Sequence, residues 1–78
     1  MAKKQMHKEA GLALLAKKFR VKAGISKAEA ARQLGISRST IQHAEEYPEK
    51  SLTNLRCRMI ELYSSYRVMG PGFWLERK

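Results

Sequence analysis

The stretch Gly24-Ile25-Ser26-Lys27-Ala28-Glu29-Ala30-Ala31-Arg32-Gln33-Leu34-Gly35-Ile36-Ser37-Arg38-Ser39-Thr40-Ile41-Gln42-His43-Ala44-Glu45 decides how this chain folds. Ser26 and Glu29 stand three apart, the spacing of a capping box, in which the serine accepts from the glutamate amide and the glutamate reaches back; a helix starts at Lys27. Gly35 stops it after about two turns, because glycine enters the left-handed region without a Cβ penalty. Ser37 is again a capping residue. The next helix runs from Arg38 to Tyr47, where Pro48 disfavours helical geometry in the residue before it. Leu34, Ile36 and Ile41 point inward across the turn, and Ala31 is small where the two helices approach closely. Two short helices joined by a tight turn in this way form a helix-turn-helix unit.

Outward from that unit the pattern stays helical. Leu12, Leu15, Ala16, Phe19 and Ala23 recur at helical spacing with Lys17, Lys18, Arg20 and Lys22 between them, which predicts an amphipathic helix over residues 5–23, ended by Gly24. After Pro48 a fourth helix is expected to begin beyond Ser51, with Leu52, Leu55, Met59, Leu62, Tyr63 and Tyr66 along one stripe. Val68 and Met69, then Gly70-Pro71-Gly72, then Phe73, Trp74 and Leu75 form two apolar pieces around a strong turn signal. They make either a hairpin or a turn followed by a last helical piece. The expectation is an all-α, four-helix, single domain over 1–78, with a core over 10–66 and a packing or dimerisation segment over 67–78.

Composition sets the boundaries of function. A chain of 78 residues holds one small core. Its single cysteine, Cys57, excludes an internal disulfide and a cysteine-based zinc site, and reads as a semi-buried small hydrophobe. His7 and His43 stand far apart, so no metal set is expected. Neither a nucleophile–base pair nor a phosphate loop can be assembled, so the chain is read as a non-enzyme without a cofactor. The longest apolar run, Leu12 to Ala16, falls far short of the roughly 18 residues that span a bilayer. Lys17, Lys18 and Arg20 interrupt the apolar stretch after Lys3, Lys4 and Lys8, which argues against a secretory signal. A cytoplasmic, nucleoid-associated location in a bacterial or phage-infected host is expected.

Sixteen Lys plus Arg against seven acids give a net charge of +9 and a pI near 10.1. Residues 1–25 alone carry seven bases and one acid. An excess of this size attracts polyanions, chiefly nucleic acid or an acidic membrane surface. With Ile41 and Ala44 facing the core, Arg38, Ser39, Gln42, His43 and Glu46 share the opposite face of their helix, which can enter a major groove. Arg38 can fork onto guanine O6 and N7, and Gln42 can pair with adenine or reach a phosphate. Glu45 is expected to make a structural contact to the first helix or the backbone.

The stretch Gly24 to Glu45 closely resembles the lambda-repressor-like, or Cro, family of DNA-binding domains. Phe19 and Arg20 stand where that family has an apolar residue followed by a basic one at the end of its first helix. Glu45 matches its usual acid near the end of helix 3, and Ser51-Leu52-Thr53-Asn54-Leu55 matches the start of its fourth helix. The resemblance covers residues 10–66. Ala44 and Ala30 depart from it, standing where the family has larger apolar residues, so a thinner core is expected.

The resemblance implies a sequence-specific regulator of transcription that binds double-stranded DNA, most simply a repressor occupying an operator, as in compact phage or plasmid switches. It implies base contacts from Ser37, Arg38, Ser39, Gln42 and His43. Phosphate contacts are implied for Lys27, Lys50, Thr53, Asn54 and Arg56, with Lys3, Lys4 and Lys8 adding a basic arm. The apolar tail needs cover, and Tyr66, Val68, Phe73, Trp74 and Leu75 are expected at a homodimer interface, since paired recognition helices about 34 Å apart read one face of DNA. Two rival readings fit the same residues. An antitoxin would use the same domain for DNA and the apolar tail for a toxin. A basic amphipathic first helix would suit RNA or a membrane surface, but Leu12, Leu15 and Phe19 are needed for the core.

Overall fold

The structure, a computed structural model, describes residues 9–70 and 73–78. The first turn of the helix expected from residue 5, together with Lys3, Lys4, His7 and Lys8, lies outside the described residues, as do Pro71 and Gly72. Four helices come first: α1 (Glu9–Lys22), α2 (Lys27–Leu34), α3 (Arg38–Glu46) and α4 (Thr53–Tyr63). Two strands follow, β1 (Tyr66–Met69) and β2 (Trp74–Arg77).

The helix ends follow from local chemistry. The Glu29 amide donates to Ser26 Oγ at 3.1 Å, and the Thr40 amide donates to Ser37 Oγ at the same distance. Gly35 takes φ 68° and ψ 35°, and its N–H closes α2 on the carbonyls of Ala31 and Arg32. The reciprocal half of the capping box is replaced. Instead of reaching back to Ser26, the Glu29 carboxylate accepts from Arg32 and, at 3.3 Å, from Gln33 Nε2. A guanidinium one turn on is a stronger donor than a neutral amide.

Leu12, Ala16, Ala30, Ala31, Ile41, Ala44, Met59 and Ile60 form one buried cluster shared by all four helices. Each fully buried Leu or Ile contributes about 1.5–3 kcal/mol through removal from water. Ala30 and Ala44 are fully buried, and the side chain of Arg56 is the largest among those fully enclosed.

The expected stripe of α4 needs correction at two places. Leu62 is 52% exposed and Ile60 takes the inward position. Tyr66 does not belong to the helix at all, because Ser64 turns extended at φ −146° and ψ 176° and Tyr66 opens β1. The tail is the hairpin of the two alternatives, antiparallel with Tyr66 opposite Arg77, Val68 opposite Leu75 and Met69 opposite Trp74. Phe73 enters β2 at φ 53°, a left-handed conformation rare for an aromatic residue. The hairpin is bolted to α4: the Val68 amide donates to Glu61 Oε2 at 3.1 Å, the Lys78 amide donates to the Ser65 carbonyl at 2.9 Å, and Lys78 Nζ donates to the carbonyls of Glu61 and Ser64.

Candidate nucleic-acid interface

The inner side of α3 is locked by two buried guanidiniums. Ile41 and Ala44 are fully buried and Glu45 is 4% exposed, so α3 places a carboxylate inside the fold. Arg20 of α1 answers it, with Nε donating to Glu45 Oε2 at 2.5 Å and Nη2 to Oε1 at 3.0 Å. Its Nη1 donates to the Ile25 carbonyl at 2.7 Å, so one side chain joins α1, the loop before α2, and α3. The bond to Glu45 holds the guanidinium pKa above its ordinary value. The expected structural contact of Glu45 to the first helix is this pair.

The second guanidinium corrects the expected phosphate set. Arg56 is fully buried and donates to three carbonyls: Ala44 at 2.8 Å from Nε, Lys50 at 2.9 Å from Nη1 and Tyr47 at 2.8 Å from Nη2. Helix C-termini leave carbonyls unsatisfied and carry partial negative charge, and a guanidinium relieves both. Each of its three nitrogens thus donates to the exit of α3 or the loop after it, and a side chain with no exposed surface is out of reach of a phosphate.

The outer side of α3 is open. Arg38, Ser39 and Gln42 are exposed and His43 is half-buried, and with Tyr47 they line one shallow depression along the helix. Four of the five expected base-reading residues are therefore brought together. The fifth, Ser37, stands at the mouth of the helix with its hydroxyl engaged by the Thr40 amide and, at 2.8 Å, by the Thr40 hydroxyl. Tyr47 is an addition to the expected set. It is 42% exposed and sets its ring edge-on to His43, with centroids 5.3 Å apart and planes at 74°. The signal was its place four residues after His43, one turn along the same face.

Around this face, Lys27 at the start of α2 reaches across to α3, donating from Nζ to Gln42 Oε1 at 3.0 Å. Glu46 is held aside by Lys17, 2.7 Å away, and the hydrogen bond from that ammonium lowers its carboxyl pKa. Thr53 and Asn54 open α4, whose N-cap Leu52 supplies no side-chain hydrogen bond, and with Ser51, Leu52 and Leu55 they line a second depression. Lys50 is exposed in the loop between α3 and α4.

The residues expected at a dimer interface are partly engaged within the chain. Val68, Phe73 and Leu75 pack against the core cluster, and Tyr66 meets Phe19 with ring centroids 6.0 Å apart. Trp74 is half-buried beside Met69 in the ladder. Among the described residues no group of His, Cys, Asp and Glu is arranged to hold a metal ion, and no helix is long and apolar enough to cross a membrane.

A helix with a locked inner side and a polar outer side is held here against a shorter helix across a left-handed glycine. Comparison with known proteins agrees: a family model described as helix-turn-helix, of the Cro/C1 type, matches residues 17–58, more than half of the chain. No curated protein and no solved structure matches significantly.

Proposed function

This chain belongs to the Cro/C1-type helix-turn-helix family and is a DNA-binding transcriptional regulator, and from that premise we propose that it acts as a homodimeric repressor occupying an operator through α3. The observation that carries this reading is the row of exposed Arg38, Ser39 and Gln42 with half-buried His43 on a helix whose other side is pinned to α1 and α4. Pinning removes the ordering cost that a mobile reader pays on binding. Arg38, in the first turn, forks onto guanine, while Ser37, Ser39, Gln42 and His43 supply smaller contacts to base edges. Lys27, Lys50, Thr53 and Asn54 flank that row and take phosphate oxygens, fixing register without selecting sequence.

A single reader of this size covers only a few base pairs, and pairing two copies supplies both affinity and symmetry. The hairpin, with Tyr66 and Trp74 half-buried, is the surface we assign to that pairing. Repression then follows from occupancy, with the bound dimer excluding polymerase from a promoter. The test is selection of bound duplexes from a random pool, followed by titration of the winner against scrambled DNA at two salt concentrations. A two-fold symmetric site with half-sites one turn apart supports the reading; equal, salt-sensitive affinity for every duplex overturns it.

One observation favours a second reading, in which an autorepressor also holds a protein partner such as a toxin. Leu14 and Val21, seven residues apart on one face of α1, are 71% and 57% exposed. Loss of a co-purifying partner on Leu14→Glu, with DNA binding retained, would support it.

A further inference from the structure

The hairpin carries an arginine to the place where α1 ends. Tyr66 and Arg77 are partners in the ladder, and directly opposed residues of an antiparallel pair share one face of the sheet. The Tyr66 ring meets Phe19 with centroids 6.0 Å apart, so that face is the one turned toward α1. Lys22, three residues after Phe19, lies on the same side of its helix. Lys22 and Arg77, both exposed, thereby line one cleft of about 310 Å³ from the α1 side and the β2 side. Half-buried Phe19, Tyr63 and Tyr66 line it as well, and exposed Ser65 adds a hydroxyl.

The charge in this cleft is uncompensated. Among the described residues no Asp or Glu lines it, and neither Lys22 nor Arg77 has an ion pair or a side-chain hydrogen bond. Glu76 is the neighbour of Arg77 in sequence but belongs to the other face of the strand, opposite Arg67. Lys78 adds a further cation beside the cleft, its ammonium donating to the Ser64 carbonyl at 3.2 Å. An anion placed between such cations relieves their mutual repulsion, and apolar surroundings strengthen the attraction by lowering the local dielectric. A guanidinium fork with a lysine and a hydroxyl is a donor set that fits phosphate oxygens.

We propose that the cleft between the end of α1 and the hairpin is a phosphate site, with Lys22 and Arg77 as its principal donors. The phosphate comes from one of two sources, the backbone of a bound duplex or a free phosphorylated molecule. Lys22 stands five residues before Lys27 at the start of α2, which keeps the cleft near one flank of the helix-turn-helix unit. The Trp74 face of the hairpin, on the other side, stays available for pairing with a second copy. The site lies apart from α3, so it does not depend on which residues read bases.

The experiment uses two double variants, each checked by circular dichroism and thermal melting. Lys22→Gln with Arg77→Gln removes both donors, while Lys18→Gln with Arg58→Gln removes the same charge at exposed positions outside the cleft. In the first arm inorganic phosphate is titrated at constant ionic strength against chloride, followed by NMR shifts of the Phe19 and Tyr66 rings. In the second arm affinity for duplex DNA is measured across salt. Saturable phosphate shifts in the unaltered chain and the Lys18/Arg58 variant, lost in the Lys22/Arg77 variant, support the site. With an unchanged DNA salt slope they assign it to a free phosphorylated molecule. Flattening of log affinity against log salt by about one unit in the Lys22/Arg77 variant alone, with base preferences unchanged, assigns it to the duplex backbone. The proposal is overturned by phosphate shifts that are absent, or persist in the Lys22/Arg77 variant, together with a salt slope that the two variants change alike.

Discussion

The two sides of α3 use the same residue types to opposite ends. On the inner side Arg20 and Arg56 are buried and spend their donors on Glu45 and on the carbonyls of Ile25, Ala44, Tyr47 and Lys50. On the outer side Arg38 is exposed beside Ser39, Gln42 and His43. A net charge of +9 therefore overstates what is offered to a polyanion, since two arginines serve the fold. The difference separates groups that hold the fold from groups left open to solvent within nine residues of helix.

That separation can be broken from the inside first. Arg20→Ala leaves Glu45 buried and uncompensated, and should cost about 3–5 kcal/mol of stability, read by urea denaturation. Joint replacement by apolar residues, Arg20→Met with Glu45→Leu, should cost much less than the sum of the two single changes. Arg56→Met orphans three carbonyls and should cost about 3 kcal/mol, again seen in denaturation, while sparing the base preferences of whatever remains folded.

The outer side gives the converse. Arg38→Ala should leave the unfolding midpoint where it is and cost about 1–3 kcal/mol on the selected duplex, with little change on random DNA; equal weakening on both would remove Arg38 from the base-reading set. Lys50→Ala should weaken both kinds of DNA alike and flatten the plot of log affinity against log salt by about one unit.

The smallest effect sharpens the comparison at the surface. Glu29 and Glu46 have pKa values lowered from the ordinary 4.5, chiefly by hydrogen bonds from Arg32 and Lys17. A carboxyl with a lowered folded-state pKa contributes stability that is present above its unfolded value and is lost as pH falls through the folded one. Glu46→Gln should thus remove a small stabilisation that is present at pH 7 and slightly flatten the loss of stability below pH 4.5, the two proteins converging in acid, as followed by thermal melts across pH.

What was legible in the sequence was local. Ser26, Gly35 and Ser37 act through neighbours within four residues, so capping chemistry placed α2 and α3 from the residues alone. The face of α3 followed from Ile41 and Ala44. The failures lie where a residue's partner is distant in sequence. Arg56 and Arg38 look alike in a list of basic residues, and only the packing of α4 beneath the exit of α3 sends one inward. Leu62 and Ile60 are both apolar, and choosing between them requires knowing the direction from which α1 approaches. The tail stayed open between hairpin and helix because the anchors that hold it, Glu61 and Lys78, act through backbone groups with no sequence signature.

The three carbonyls gathered by Arg56 have a consequence for opening motions. The last turn of α3 cannot fray alone, because releasing it breaks bonds to Ala44, Tyr47 and Lys50 that originate on α4. The end of α3, the loop after it and the first half of α4 should behave as one cooperative unit in hydrogen exchange, with amides that share a single opening free energy.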